Sequence, residues 1–247
     1  MKNIALFFDY DGVLAPITPS PLSSGVYPEL ISVIKSLQNE GFKVAVISGR
    51  DCPFLYEKVP GLDGYACVFG LEVHGGGYVV LDEEVYRGVK PRAIEDLASK
   101  VKTILGDRVG AIFGRTLTGV PLGMSVYWFK DAGKPANLEV FISEALARGL
   151  VVYDIAEWGN FAEYVDVHVA RRSKREAVRV LKALLEVDTV VYFGDTASDI
   201  PAFAEADVSV LIRHEFNKDL NIEVDYVIEV GRLPSWVKEM KFGKNLN

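Results

Sequence analysis

The chain has 247 residues, a formal net charge of −7 and 49% hydrophobic residues, which is apolar material enough for one large core or two unequal ones. The acidic balance argues against an extended surface for nucleic-acid phosphates while leaving room for a local basic pocket around one small anion. No window approaches the roughly 20 apolar residues of a membrane-spanning helix. The short apolar run near the N-terminus is not a signal-peptide core. The two cysteines, Cys52 and Cys67, make no disulfide framework in a chain of this length. Free thiols in a soluble, cytoplasmic protein are expected.

In chain order, Ile4-Ala5-Leu6-Phe7-Phe8 is continuously apolar, the pattern of a strand buried on both faces of a parallel sheet. It stops abruptly at Asp9-Tyr10-Asp11-Gly12. After a Pro- and Ser-rich loop over 16–24, Leu30, Ile31, Ile34 and Leu37 recur at helical spacing until Gly41. Val44-Ala45-Val46-Ile47 is a second buried strand, closing on Ser48-Gly49-Arg50, and strand, helix, strand within about fifty residues is the size of a βαβ unit. A helix then starts with Asp51 as N-cap and Pro53 in its first turn, and His74 falls among Gly75, Gly76 and Gly77 in a glycine-rich turn. Residues 85–162 read differently: a helix over 91–105, strands over 109–113 and 124–129, a helix over 135–147, then further strands. In that stretch Tyr127, Trp128 and Phe129 are expected to pack against helices, and Trp158, Asn160 and Glu163 are candidates for the cleft where the chain returns. Lys174 opens a helix marked by Ala177, Val178, Leu181, Leu184 and Leu185, and the buried strand over 189–193 ends at Gly194-Asp195. The fold class expected is α/β, a doubly wound parallel sheet built from 1–84 and 163–247, with an α+β cap inserted at 85–162.

Asp9 and Asp11 lie two apart at a strand end, so extended geometry points both carboxylates the same way. Asp9, Ser48 and Asp195 each sit at the carboxyl end of a strand, where open parallel sheets collect ligands. Adding Asp199 makes four carboxylates that repel one another without a cation. Oxygen ligands with no cysteine or histidine cluster favour a hard ion, and Mg²⁺ suits a site whose shell phosphate oxygens complete. A carboxylate such as Asp9 can attack phosphorus while a second, Asp11, moves the proton. Ser48, Gly49 and Lys174 offer the donors that a phosphoryl transition state requires.

In this order, Asp9-Tyr10-Asp11-Gly12, Ser48-Gly49-Arg50, Lys174 and Gly194-Asp195 with Asp199 resemble the four motifs of the haloacid dehalogenase-like (HAD) phosphatases. The stretch from Phe8 to Ile17, with Ile47-Ser48-Gly49-Arg50 and His74-Gly75, resembles the trehalose-6-phosphate phosphatase family within them. The resemblance implies a Rossmann-like core with a C2-type cap between the second and third motifs, a Mg²⁺ cofactor, and a small sugar-phosphate partner, with no nucleic acid or membrane. It gives Asp9 the roles of nucleophile and metal ligand, Asp11 those of acid/base and ligand through its carbonyl, and Asp195 and Asp199 the rest of the metal site. Ser48 and Lys174 would bind the phosphoryl group, and Gly49, Arg50, His74 and Asp166 would face the substrate. Val13, Thr196 and Ile200 depart from that family, and Asp166-Val167-His168-Val169-Ala170 stands where it carries Glu-x-Arg-x-Pro. Mannosyl-3-phosphoglycerate and sucrose-phosphate phosphatases, a phosphomutase and a non-catalytic phosphate-binding module are the alternatives.

Overall fold

The computed structural model describes residues 3–20 and 22–239. Residues 1–2 and 240–247 of the expected core, and Pro21 of the 16–24 loop, lie outside that range. The first part of the chain forms β1 (Ile4–Phe8), α1 (Pro28–Asn39), β2 (Lys43–Ile47), α2 (Cys52–Lys58), β3 (Gly64–Cys67) and the hairpin β4 (Glu72–Gly75) and β5 (Tyr78–Leu81). A middle segment follows with α3 (Glu83–Arg87), α4 (Val89–Leu105), β6 (Gly110–Arg115), β7 (Pro121–Phe129), α5 (Leu138–Ala147), β8 (Val151–Val152), β9 (Ala156–Trp158) and β10 (Ala162–His168). The last part adds α6 (Lys174–Leu184), β11 (Thr189–Gly194), α7 (Ile200–Phe203), β12 (Val208–Arg213), β13 (Tyr226–Glu229) and α8 (Leu233–Glu239).

The first and last parts share one eight-stranded sheet, ordered β13-β12-β11-β1-β2-β3-β4-β5. It is parallel from β13 to β3, and β4 and β5 pair antiparallel at one edge. The continuous apolar run of β1 is explained by burial on both faces: Leu6 and Phe8 pack with residues of α1, α2 and α8, and Ala5 and Phe7 with residues of α6 and α7. On α1 the buried stripe is Leu30, Val33, Ile34 and Leu37, whereas Ile31 is exposed, because the i, i+3, i+4, i+7 rows make the face and Ile31 lies outside them. Strand β1 lies between β2, which follows it in sequence, and β11, which returns after the middle segment. Strand order reverses there, and the crevice beyond the carboxyl ends of these strands is where such sheets collect ligands.

The middle segment has its own antiparallel sheet, β6-β7-β10-β8, with β9 also paired to β10. Val126, Trp128, Val165 and Val167 of this sheet pack with Ile94, Leu97 and Val101 of α4 and Phe141 of α5 in a second core. Strand β10 pairs with β7 from Ala162 to His168, so the cap extends through His168 rather than ending at residue 162. The alternation of Val165 and Val167 with Asp166 and His168 is that of a strand with one face in the cap core, and it carries the boundary with it.

Cys52 and Cys67 are joined in a disulfide with a Cα–Cα distance of 5.3 Å, not free as expected. The first turn of α2 lies against the end of β3, a proximity that the sequence separation of 15 conceals. In the chain-entropy account, closing a loop of this size stabilises by about 3 kcal/mol. The Cys52→Ser, Cys67→Ser double variant is expected to unfold in urea with that loss under oxidising conditions, and a dithiol should bring wild type to the same stability. Equal stability of the oxidised proteins would refute this.

Candidate active site

Asp9 follows β1 directly and still pairs with the sheet, its N–H donating to the Phe193 carbonyl at 2.8 Å. The chain then turns sharply through Gly12, whose φ is 82° and where a Cβ would come within 2.2 Å of Asp195 Oδ2. Only glycine accommodates both the positive φ and that approach, so Gly12 lets the Asp9–Asp11 loop close over the end of β11. Asp11 is gripped by both arms of Arg50, Nε to Oδ2 at 2.7 Å and Nη2 to Oδ1 at 3.0 Å. The guanidinium also lies over Phe54 at 4.9 Å and Trp158 at 5.1 Å from the ring centroids.

Lys174 enters from the first residue of α6, where the Glu176 carboxylate caps the helix by accepting from the Ser173 N–H at 3.0 Å. It is 1% exposed and bonds Asp9 Oδ2 at 2.5 Å and Asp199 Oδ1 at 2.6 Å. Asp199 also accepts from the Tyr192 hydroxyl at 2.6 Å and from the N–H groups of Asp195 and Thr196, each at 2.9 Å. Asp195 Oδ2 lies 2.9 Å from His214 Nε2, and the Asp195 carbonyl accepts from Asn217 Nδ2 at 2.8 Å. The Phe216 N–H donates to His214 Nδ1 at 3.2 Å, which leaves Nε2 as the donor to Asp195.

Burial raises Asp9 well above the usual carboxylate range; Lys174 opposes this, and Asp199 and Asp195 add to it. Asp195 is raised by burial and by Asp199. Burial also acts against ionised Asp199, but Lys174, Tyr192 and the Thr196 N–H outweigh it and hold that carboxyl below its ordinary value. Lys174 is raised because Asp199 and Asp9 outweigh its desolvation. Burial lowers His214, so it supplies no charge near neutrality.

These residues fit a hard divalent cation. Oxygens of Asp9, Asp195 and Asp199 lie within 4.8 Å of one another, and Asp195 Oδ1 is buried with no partner. Four carboxylates, with Asp11, face the two cations Lys174 and Arg50, leaving two negative charges for an ion to balance.

The second strand end supplies the opposite wall. Ser48 Oγ accepts from the Arg50 N–H at 3.1 Å, and the loop is held from above by Val68 N–H to the Arg50 carbonyl and Phe69 N–H to the Ser48 carbonyl, both 2.9 Å. Val68 and Phe69 adopt φ of 47° and 58°, sparsely populated values for non-glycine residues that cluster at sites where the surroundings enforce them. Asp51 caps α2 by accepting from the Phe54 N–H at 3.1 Å, and its other oxygen accepts from the Arg115 N–H of β6 at 3.0 Å, tying core to cap.

Between core and cap lies a cavity of about 600 Å³ whose lining includes Asp9, Asp11, Ser48, Gly49, Arg50, Asp166, Lys174 and Asp195. Asp199 is buried beneath it against Lys174. His74 does not line it: the residue sits on β4, a strand rather than a turn, 2.9 Å from Glu72 Oε1 and 3.0 Å from the Tyr56 hydroxyl. Among the cap candidates Trp158 lines the cavity, while Asn160 and Glu163 do not, and Glu163 accepts instead from Trp128 Nε1 at 2.8 Å. Trp128 packs in the cap core as expected, Phe129 is exposed, and Tyr127 turns to the cavity. Sequence reasoning passed over His214, Asn217, Tyr192 and Tyr164. His214 carried a usable signal, since it follows β12 at the same edge of the sheet as Asp9, Ser48 and Asp195.

No family model matches the chain. A stretch of 76 residues, 30% of this chain, is 38% identical to "Probable trehalose-phosphate phosphatase 2" of Oryza sativa subsp. japonica, and 132 residues, 51% of it, are 27% identical to "Probable trehalose-phosphate phosphatase D" of Arabidopsis thaliana. The matches span 19% and 35% of those curated relatives' own length. Among solved structures, a trehalose-6-phosphate phosphatase related protein superposes with a TM-score of 0.72 at 21% identity over 95% of each chain. The C-terminal domain of C. albicans trehalose-6-phosphate phosphatase gives 0.69 at 16% identity, over 96% of this chain and 91% of that one. A HAD subclass IIB sugar phosphatase gives 0.62 at 16%, over 96% and 98%. No helix among the described residues is long and apolar enough to cross a membrane. The structural neighbours are HAD-superfamily phosphatases, and the chain has their α/β fold.

Proposed function

We propose that the chain is a Mg²⁺-dependent phosphatase of sugar phosphates, with trehalose 6-phosphate first among them, working through an aspartyl-phosphate on Asp9. The observation that carries this reading is the position of Asp9: a buried carboxylate at the switch point of the sheet, opening on the cavity, fixed at Oδ2 by Lys174 and followed two residues later by a second carboxylate. The names of the relatives and neighbours support a sugar phosphate as substrate.

An Asp9 oxygen attacks phosphorus, the bond from phosphorus to the sugar oxygen breaks, and Asp11, protonated at that point, gives its proton to the departing oxygen. Water then attacks the acyl phosphate, Asp11 takes its proton, and phosphate leaves with the Asp9 carboxylate restored. Both oxygens of Asp11 are held by Arg50 in the structure, so proton transfer requires that grip to loosen. A phosphoryl dianion competing for the guanidinium would do this. Lys174 and the Ser48 hydroxyl hold phosphoryl oxygens as charge spreads over them. Mg²⁺, held by Asp9, Asp195 and the Asp11 carbonyl with Asp199 in support, would neutralise part of that charge.

Phosphate release from a panel of sugar phosphates, with and without Mg²⁺, tests the reading. Turnover is expected only with the ion, and no release from any sugar phosphate would sink the proposal. Mg²⁺ at a hundred times its dissociation constant should also stabilise the fold by about 2.7 kcal/mol, read as a thermal shift. Asp9 and Asp195 have folded pKa values above their unfolded ones, so the stability they contribute is present below the unfolded value and lost as pH rises through the folded one. The ion takes the place of those protons, and its stabilising effect should therefore grow with pH. A shift that shrinks with rising pH would contradict the assignment of these ligands.

A further inference from the structure

Away from the reacting centre, a second group of metal-ligating side chains lies behind the Ser48–Arg50 loop. Cys52 opens α2, and Tyr56, one turn further on, shares its helix face. Cys67 of β3 pairs with Glu72 of β4, and Tyr65 with His74, so strand alternation puts Cys67, Glu72 and His74 on one face of that pair. The two surfaces meet, with Tyr56 stacked on Tyr65 at a centroid distance of 4.0 Å. Ligand atoms of Cys52, Glu72 and His74 all lie within 4.8 Å of one another, and the sulfur of Cys67 is bonded to that of Cys52. Cys52, Cys67, Glu72 and His74 are all buried, and none of them lines the cavity.

A disulfide and a metal ion are alternative uses of these two sulfurs. Reduction by a dithiol breaks the Sγ–Sγ bond by exchange: two electrons and two protons pass to Cys52 and Cys67, and the reductant closes its own disulfide. Two thiols, an imidazole and a carboxylate then share one pocket. A cation that displaces the thiol protons acquires a shell of two sulfurs, one nitrogen and one oxygen, with every position taken by the protein, as in a structural zinc site. Thiolate ligands select zinc over Mg²⁺ and Ca²⁺, which take oxygen. Zinc bonds of about 2.0–2.3 Å set neighbouring ligand atoms roughly 3.3–3.8 Å apart. The cluster, already within 4.8 Å, closes on the ion by side-chain shifts of about 1 Å.

The surroundings of the cluster support a bound ion. His74 Nε2 lies 2.9 Å from Glu72 Oε1, and Nδ1 lies 3.0 Å from the Tyr56 hydroxyl. With the ring proton on Nδ1, that hydroxyl accepts it and the Nε2 lone pair is free for the metal beside the carboxylate. Glu72 is oriented in turn, both of its oxygens accepting from the Leu117 N–H of the β6–β7 connection at 3.2 Å. Outer contacts of this kind orient metal-ligating imidazoles and carboxylates. The position also bears on the loop that ends β2. Asp51, just before Cys52, accepts from the Arg115 N–H of β6, and Val68, just after Cys67, donates to the Arg50 carbonyl.

We propose that in the reduced protein Cys52, Cys67, Glu72 and His74 bind one Zn²⁺ ion, which fastens α2 to β3 and β4 as the disulfide does in the oxidised protein.

Because the disulfide is buried, the full chain is reduced in urea by a water-soluble phosphine, which ends as its oxide with oxygen taken from water. It is then refolded with reductant and with excess Mg²⁺ to occupy the carboxylate site. Zn²⁺ retained after dialysis is counted against oxidised protein treated in the same way, so that any zinc held by Asp9, Asp195 and Asp199 cancels. One more ion per chain is expected in the reduced form, and Co²⁺ in its place should give a thiolate-to-cobalt absorption band. Tyr56→Phe should weaken zinc binding about tenfold to a hundredfold, read by competition with a chromophoric chelator, whereas a residue that only packs would leave the affinity unchanged. His74→Gln should weaken it further. Without added metal, reduced wild type should match the Cys52→Ser, Cys67→Ser double variant in urea, and Zn²⁺ should raise the midpoint of wild type alone. Equal zinc content of reduced and oxidised protein, no thiolate band with Co²⁺, or an affinity unchanged in either Tyr56→Phe or His74→Gln would overturn the proposal. None of these readouts depends on turnover, so the outcome is separate from that of the phosphatase reading.

Discussion

Asp9→Asn is expected to reduce turnover by at least about 10⁴-fold, the scale seen when a covalent nucleophile is removed from an otherwise intact site. The substitution keeps the shape, and an amide oxygen can still accept from the Tyr10 N–H, which Asp9 Oδ1 meets at 2.6 Å, or from Lys174. What disappears is the anionic oxygen that bonds to phosphorus. Stability should not fall in step with activity, because burial already disfavours the charge of Asp9, and its loss relieves repulsion with Asp195 and Asp199. Asp11→Asn should lie in a different range, about 10² to 10⁴-fold, since it removes proton transfer but leaves the nucleophile. Acid-quenched wild type should carry a hydroxylamine-sensitive acyl phosphate that the Asp9 variant lacks. Residual turnover in Asp9→Asn above about 1% of wild type would remove Asp9 from the role of nucleophile.

The residues that the structure brings together around Asp9 were legible because each ends or begins a strongly patterned element. Asp9 and Asp195 close continuous apolar strands, and Lys174 opens the helix whose buried side is Ala177, Val178 and Leu181. Pattern gives the position of a side chain along the chain but not its partners. Thus Arg50 could be placed near the substrate, whereas its grip on Asp11, 39 residues away, follows from the β1–β2 pairing and its register. His74 illustrates the converse. Its glycine neighbours suggested a turn, and the resemblance a place facing the substrate, but β4 is a strand paired on both sides, with β3 and β5, on which the imidazole meets Tyr56 and Glu72. The end of the middle segment also depends on a partner: the alternation of Val165 and Val167 with polar residues suits a strand of either sheet, and only the pairing with β7 assigns it to the middle one. Tyr192 and Asn217, which hold Asp199 and Asp195, are single polar residues in otherwise unremarkable contexts and leave no periodic trace.

Lys174→Met is expected to be the most damaging single change to the fold, by about 3–5 kcal/mol, the range for breaking a buried ion pair from one side. Methionine fills much of the same channel, so the loss is electrostatic more than one of volume. It strips Asp9 and Asp199 of the ammonium that bonds both, leaving buried carboxylates to repel one another. The pH dependence separates this from a packing defect. Asp199 is held below its ordinary value chiefly by Lys174 against the effect of burial, so in wild type it contributes stability above its unfolded pKa that is lost as pH falls through the folded one. Lys174 is raised and contributes below its own unfolded pKa, losing that only as pH rises through the higher folded value. Removing the lysine reverses the direction for Asp199, because the orphaned carboxyl then prefers its proton. The deficit of Lys174→Met against wild type should therefore be larger at about pH 8 than at about pH 5. Mg²⁺ should restore part of the stability without restoring turnover, because the phosphoryl group would still lack the ammonium beside Asp9. A deficit independent of pH would mean that Lys174 acts through packing alone, and the charge balance assigned to the site would be wrong.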